Sequence, residues 1–179
     1  MSPVIWFTGL SGAGKTTISS LVEANIAGKS SQHSLVTRLD GDMLRAGLCQ
    51  DLGFSAADRA ENIRRTAELA SLLASLNHLV IVALISPIAS DRNRARQIVE
   101  FKGGRFIEVY IDTPLDVAEQ RDVKGLYSKA RRGELRNFTG IDSPYEIPLN
   151  PELSVTTVNN TPEQSAAKVI EFLKVEGVI

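Results

Sequence analysis

The chain has 179 residues, is 43% hydrophobic and carries a formal net charge of −1. That size and apolar content suit one domain, 1–179, with a sizeable core, and so small a net charge supplies no global field to recruit nucleic acid or an anionic membrane. The absence of a long apolar run or a signal-like opening, and a single cysteine, Cys49, that cannot form an intrachain disulfide, lead to the expectation of a soluble cytoplasmic protein.

Short apolar segments alternate with amphipathic ones along the chain, which predicts an α/β fold with a central parallel sheet of about five strands and helices on both faces. A first strand over 3–8 carries Val4-Ile5-Trp6-Phe7. It leads into Gly9-Leu10-Ser11-Gly12-Ala13-Gly14-Lys15-Thr16, a complete G-x-x-x-x-G-K-[ST] loop, and Thr17 continues the helix expected over 15–27. Glycines let successive backbone N–H groups turn toward a phosphate, and the helix N-terminus adds partial positive charge. In such a loop Lys15 reaches the outer phosphates and the Thr16 hydroxyl binds Mg²⁺, so the expected ligand is ATP or another nucleoside triphosphate.

The second strand, 35–40, ends in Leu39-Asp40-Gly41-Asp42. Strand ends at the carboxyl edge of a parallel sheet face the ligand crevice, so one carboxylate, expected to be Asp40 with Thr16, would hold Mg²⁺ and the other, Asp42, would accept a proton from an attacking hydroxyl, although the two roles are open to exchange. An exposed Asp-Gly turn is the alternative. A helix over 58–76 follows, in which Leu69, Leu72, Leu73 and Leu76 have the spacing of a buried face. The strand over 79–85 ends without an acidic residue, which raises the weight on Asp40 and Asp42. A helix over 90–101, a strand over 105–111 and a helix over 114–120 come next.

Residues 121–148 break the rhythm, with no convincing strand or long helix. Between Arg121 and Arg136 six basic residues face two acidic ones, which suits either a solvated surface or a basic lid with few apolar anchors that closes over polyphosphate. A strand over 154–158 and a helix over 162–175 complete the chain. Thr161, Pro162 and Gln164 form a capping signature, and Ala166, Val169, Ile170 and Leu173 an inward stripe. His33 and His78 lack metal-ligand spacing and read as loop or strand-edge residues.

Several blocks resemble the adenylylsulfate kinase family. They include Leu39-Asp-Gly-Asp42, Gly47-Leu-Cys-Gln-Asp-Leu-Gly-Phe-Ser55, Asp58-Arg59-Ala-Glu-Asn62, Ile85-Ser86-Pro87, Lys124-Gly-Leu-Tyr127 and Glu134-Leu-Arg-Asn-Phe-Thr-Gly-Ile-Asp142. The resemblance implies a three-layer P-loop nucleoside triphosphate kinase fold with a basic lid over about 121–148. It also implies transfer of the γ-phosphoryl group of ATP to the 3′-hydroxyl of adenosine 5′-phosphosulfate, a step of sulfate assimilation. Its acceptor contacts map onto Asp42, Arg45, Arg59, Asn62, Ile85 and Ser86, with Phe54 and Phe138 as an aromatic pair around the base. The lid contacts are Lys124, Gly125 and Leu126, and Arg121 lies against the ATP adenine. Lys15, Asp40, Asp42 and Ser86 are its catalytic set; Ser86 is either phosphorylated in turnover or a hydrogen-bond donor near the γ-phosphate. A homodimer working with a sulfate adenylyltransferase is the implied assembly.

The chain departs from the family's usual residues at Met43, Ala46, Ile88 and Val123. A P-loop kinase for a related nucleotide such as a cytidine diphosphate derivative, a sugar-acid kinase, and a silent nucleotide-binding module are the competing readings.

Overall fold

A computed structural model describes residues 1–27 and 35–179; the reading of His33 lies outside the described residues. The strands are β1 (Val4–Thr8), β2 (Leu35–Asp40), β3 (His78–Ala83), β4 (Phe106–Asp112) and β5 (Leu153–Thr156). The helices are α1 (Lys15–Ala27), α2 (Gly41–Ala46), α3 (Ala56–Ser75), α4 (Ala89–Phe101), α5 (Leu115–Arg121), α6 (Leu126–Arg131) and α7 (Pro162–Val175). All strand pairs are parallel, in the order β2-β3-β1-β4-β5.

Every residue of β1 is buried, as expected of a central parallel strand covered on both faces. Alternation divides its side chains between two cores. Ile5 and Phe7 meet Ile18, Val22 and Ile26 of α1 and Val169 and Leu173 of α7. Val4 and Trp6 face the opposite layer, with Ile63, Ala67 and Ala70 of α3 and Val99 of α4. Thr161 and Gln164 form the expected reciprocal cap of α7.

Three expectations are corrected. Only half of the leucine stripe of α3 is buried: Leu69 and Leu73 pack against the core, whereas Leu72 and Leu76 are 56% and 63% exposed, and Ile63, Ala67, Ala70 and Ala74 supply the rest of the face on the sheet. Both stripes have the helical period, and the alanines let the helix backbone approach the strands closely. The turn after β2 is a short helix, α2, because the Asp40 carboxylate accepts from the Asp42 N–H at 3.0 Å and caps it. The 121–148 segment has apolar anchors of its own: Tyr127, Ala130 and Phe138 cluster with Ala118, and Leu115, Leu126 and Ile141 pack around them. His78 opens β3, with Nδ1 2.8 Å from Thr37 Oγ1. No helix among the described residues is long and apolar enough to cross a membrane.

Candidate active site

β1 lies between β3 and β4, and the glycine-rich turn at its carboxyl end borders a cleft of about 570 Å³. Gly9 has φ of 150°, and a Cβ there would fall 2.7 Å from the Ile111 carbonyl oxygen, so only glycine fits between β1 and β4. Ser11, Gly12, Gly14, Lys15, Thr16 and Thr17 line the cleft. Ala13 is buried behind them, and Leu10 packs between the core and the cluster around Tyr127.

Lys15 donates through Nζ to the carbonyls of Gly9 at 2.9 Å and Leu10 at 2.7 Å. Burial pushes its pKa down to about 7, with Asp40 pulling in the other direction. A buried ammonium held only by carbonyl dipoles is under-compensated, and a polyphosphate would complete it. Beside it, Thr16 Oγ1 donates to Asp40 Oδ2 at 2.7 Å. The hydroxyl and carboxylate thus stand together, hard oxygen donors suited to Mg²⁺. Asp40 is buried and also takes Arg38 Nη1 at 3.3 Å. Asp42 is exposed on the cleft wall and forms an ion pair with Lys124. The two neighbouring carboxylates therefore occupy different environments.

The opposite wall is assembled from α2, α3, the segment after β3 and residues 135–138. Phe54 is 49% exposed, with the Arg45 guanidinium 4.4 Å and the Arg59 guanidinium 5.5 Å from its ring centroid. Arg45 donates to the carbonyls of Leu52 and Gly53, and Arg59 to those of Phe54 and Asn137. Asn62 is buried one helical turn from Arg59 and lines the cleft, its side chain beside the Cys49 thiol and its Nδ2 without a well-formed hydrogen bond to protein. Such an orphan donor fits a site completed by a ligand.

Phe138 also lines the cleft but is only 6% exposed. Its ring meets Tyr127 edge-on at 4.9 Å, and the Tyr127 hydroxyl donates to the Ser11 carbonyl at 2.9 Å. Phe138 is therefore tied to the phosphate loop as well as to the opposite wall. Of the local cations, Lys124, Arg131 and Arg132 pair with Asp42, Glu119 and Glu134. Arg121 reaches Ala13 O at 3.4 Å and Thr157 Oγ1 at 3.0 Å, bridging the phosphate loop to the chain beyond β5. Gly125, at φ 65°, precedes α6, while Lys124 and Leu126 face the cleft.

Ile85 and Ser86 complete the floor. Ser86 is buried and has φ of 46°, a left-handed conformation that costs a non-glycine residue about 1–3 kcal/mol. Its Oγ accepts from Trp6 Nε1 at 2.9 Å, and its carbonyl accepts from Arg92 Nη1 at 2.7 Å. Sequence reasoning missed Arg92, Tyr127 and Tyr145 as supports of this site. One signal was present: Glu108 interrupts the otherwise uncharged run Phe106–Ile111 of β4, which marks a buried charge in need of a partner. Of the departures from the family's residues, Met43 and Val123 are exposed and Ile88 precedes α4 without a side-chain cap.

Comparison with known proteins bears on this arrangement. Residues 1–156 match the family described as adenylylsulphate kinase. The adenylyl-sulfate kinase of Halothermothrix orenii is 51% identical over 175 residues, covering 98% of this chain and 91% of that protein. That of Clostridium acetobutylicum is 49% identical over 176 residues, covering 98% and 85%. The structure of the Mycobacterium tuberculosis APS kinase CysC, in complex with AMPPNP and APS, superposes with a TM-score of 0.92 at 50% identity, covering 97% of this chain and 98% of that one. With its phosphate loop, acidic pair and opposite wall facing one cleft, and with half its residues shared along nearly its whole length, this chain belongs to the adenylylsulfate kinase family.

Proposed function

We propose that this protein transfers the γ-phosphoryl group of ATP to the 3′-hydroxyl of adenosine 5′-phosphosulfate, giving 3′-phosphoadenosine 5′-phosphosulfate and ADP. The observation that carries this reading is the single cleft, which joins the phosphate loop to a wall bearing Phe54, Arg45, Arg59 and the orphan amide of Asn62.

Glycine-loop N–H groups and the α1 N-terminus cradle the donor phosphates. Lys15 swings from the Gly9 and Leu10 carbonyls to the outer phosphates, where it is again fully protonated. Thr16 and Asp40 would hold Mg²⁺, which would neutralise charge on the transferring group. Phe54 and Phe138 hold the acceptor base, and Arg45, Arg59 and Asn62 its phosphosulfate end. Asp42 exchanges Lys124 for the acceptor and takes the proton of the 3′-hydroxyl. The 3′-oxygen bonds to the γ-phosphorus as the bond to the β–γ bridging oxygen breaks, and ADP leaves.

Ser86, with Oγ already accepting from Trp6, keeps its own O–H to donate into the cleft, which supports a positioning bond over covalent catalysis. Lys124 and Leu126, with Gly125 as their hinge, and Arg121 close the lid over 121–148 and exclude water. A homodimer in the cytoplasm, supplied by a sulfate adenylyltransferase, completes the reading on the family resemblance. Following ADP release with ATP and a panel of acceptors tests it: adenosine 5′-phosphosulfate should be used, and a cytidine diphosphate derivative and gluconate should not. Preference for either of these, or ATP hydrolysis with no acceptor dependence, would replace it.

A further inference from the structure

We infer that Arg92, which does not line the cleft, is a positioning residue for the acceptor: it holds Ser86 in its left-handed backbone and ties that residue to the segment returning from the lid. The inference rests on the acceptor reading above and deepens it.

The arginine sits in the first two turns of α4 and is 3% exposed. Its three guanidinium nitrogens serve three separate stretches of chain. Nη1 donates to the Ser86 carbonyl at 2.7 Å, and Nη2 to the Glu146 carbonyl at 2.7 Å. Nε lies 2.8 Å from Glu108 Oε1, an ion pair that is not aligned as a hydrogen bond. The Tyr145 ring lies beneath the guanidinium, 5.8 Å from its centre, and the Tyr145 hydroxyl is 2.9 Å from Thr8 Oγ1. Thr8 Oγ1 in turn donates to the Ile85 carbonyl at 2.7 Å. Glu146 closes the loop from its side: its N–H donates to the Pro87 carbonyl at 2.8 Å, and its carboxylate accepts from the Ala89 N–H at 2.6 Å.

A positive φ on a non-glycine residue persists only where surrounding contacts over-determine it. At Ser86 those contacts are few and identifiable: Trp6 on the side chain, Arg92 on the carbonyl, and Thr8 Oγ1 at 3.4 Å from the same oxygen. Trp6 and Thr8 belong to the central strand and are fixed with it. Arg92 is the contact that reaches from Ser86 to residue 146, at the end of the segment whose earlier part carries Lys124 and Phe138. A planar fork with donors in fixed directions can serve all three stretches, whereas a lysine ammonium on a flexible stem cannot. Glu108 has a different task, which is to neutralise the buried guanidinium.

Two substitutions separate positioning from mere stability. Arg92→Lys keeps the charge near Glu108 but gives up the fork. We expect it to fold, to retain its KM for ATP, and to lose kcat/KM for the acceptor by roughly ten- to a hundredfold, as a displaced reacting geometry does. Glu108→Gln leaves the two carbonyl bonds of Arg92 in place. It should lower the thermal midpoint yet hold acceptor kcat/KM within about threefold of wild type.

Trp6, the chain's one tryptophan, supplies a direct reporter because its indole N–H is bound to Ser86 Oγ. Its emission should change in Arg92→Lys and stay near wild type in Glu108→Gln. In the wild-type protein it should respond to adenosine 5′-phosphosulfate added with a non-hydrolysable ATP analogue, and not to the analogue alone. Wild-type acceptor kinetics in folded Arg92→Lys, or equal acceptor losses in both variants, would overturn the inference. Should Arg92→Lys fail to fold, a Trp6 emission blind to the acceptor in wild type would overturn it. A wild-type enzyme that turns over no adenosine 5′-phosphosulfate would instead remove the functional reading beneath it.

Discussion

The two walls of the cleft are built in opposite ways. The donor wall is one uninterrupted stretch, Gly9 to Thr17, whose ligand-facing groups are chiefly backbone N–H groups with one lysine and one hydroxyl. The acceptor wall gathers Arg45, Phe54, Arg59, Asn62, Ser86 and Phe138 from five stretches of chain, and uses side chains throughout. A contiguous loop fixes its geometry through local dihedrals, so it tolerates change elsewhere. A wall of distant side chains depends on whatever holds those stretches together, here Arg92 and Tyr127. Substitutions on the donor side should therefore act on transfer alone, and those on the acceptor side should mix binding with folding.

The hardest test of that contrast is Lys15→Ala. It should leave no measurable transfer while circular dichroism and the thermal midpoint stay close to wild type, because removing a buried ammonium relieves desolvation as it removes two hydrogen bonds. Retention of a tenth of wild-type turnover would break the donor assignment.

Next in size, Asp42→Asn should reduce kcat by about 10²–10⁴, the span for a positioned proton acceptor, with ATP affinity little changed. The folded state should scarcely register it, since both Asp42 and Lys124 are largely exposed and such pairs contribute at most about 1 kcal/mol. Steady-state rates at saturating Mg²⁺ and acceptor decide the matter; unaltered turnover would remove Asp42 from the chemistry.

Phe138→Ala should show the mixed behaviour. Loss of base stacking should weaken acceptor use by roughly tenfold to a hundredfold. Loss of the packing on Tyr127 should also lower stability by about 3 kcal/mol. An acceptor titration paired with a denaturant melt would show both, and a pure binding defect would mean that Phe138 faces the ligand more than the structure indicates.

The smallest expected signal comes from protons. Lys15 has its pKa held near 7 by burial, against 10.5 ordinarily, so at pH 8 the empty site holds it mostly neutral. Phosphates restore the cation, and nucleotide binding at pH 8 should take up close to one proton, with affinity falling as pH rises above about 7. The sign for folding is the reverse. Between pH 7 and about 10 the unfolded chain carries the proton that the native state lacks, so this group makes the nucleotide-free protein more stable as pH rises. Calorimetry in two buffers of different ionisation enthalpy measures the uptake; none at pH 8 would mean that Lys15 is already charged.

Much of this was legible in the residues. The alternation of apolar and amphipathic segments located all five strands and the five longest helices to within a few positions. The phosphate loop was readable because its function resides in consecutive backbone. Asp40 and Asp42 were both found, with Asp40 expected at Mg²⁺ and Asp42 at the acceptor hydroxyl, but their different surroundings were not. Asp40 turns back to Thr16 and caps α2, whereas Asp42 faces Lys124, and that choice depends on a helix the sequence did not announce. In α3 the period was right and the face half right: Leu69 and Leu73 do pack on the core, but only packing against the sheet selects the alanines and leaves Leu72 outside.

Local sequence by itself determined where the strands and the longer helices form, where the glycine-rich loop lies and how α7 begins. Each of these follows from contacts within a few residues, which short-range patterns encode directly. Tertiary structure alone decided which α3 stripe is buried, that Phe138 rests on Tyr127, and that Arg92 joins Ser86, Glu108 and Glu146. Those contacts span from 6 to 54 residues around Arg92, and nothing in a local pattern says which distant partner a buried charge will meet until the chain has closed around it.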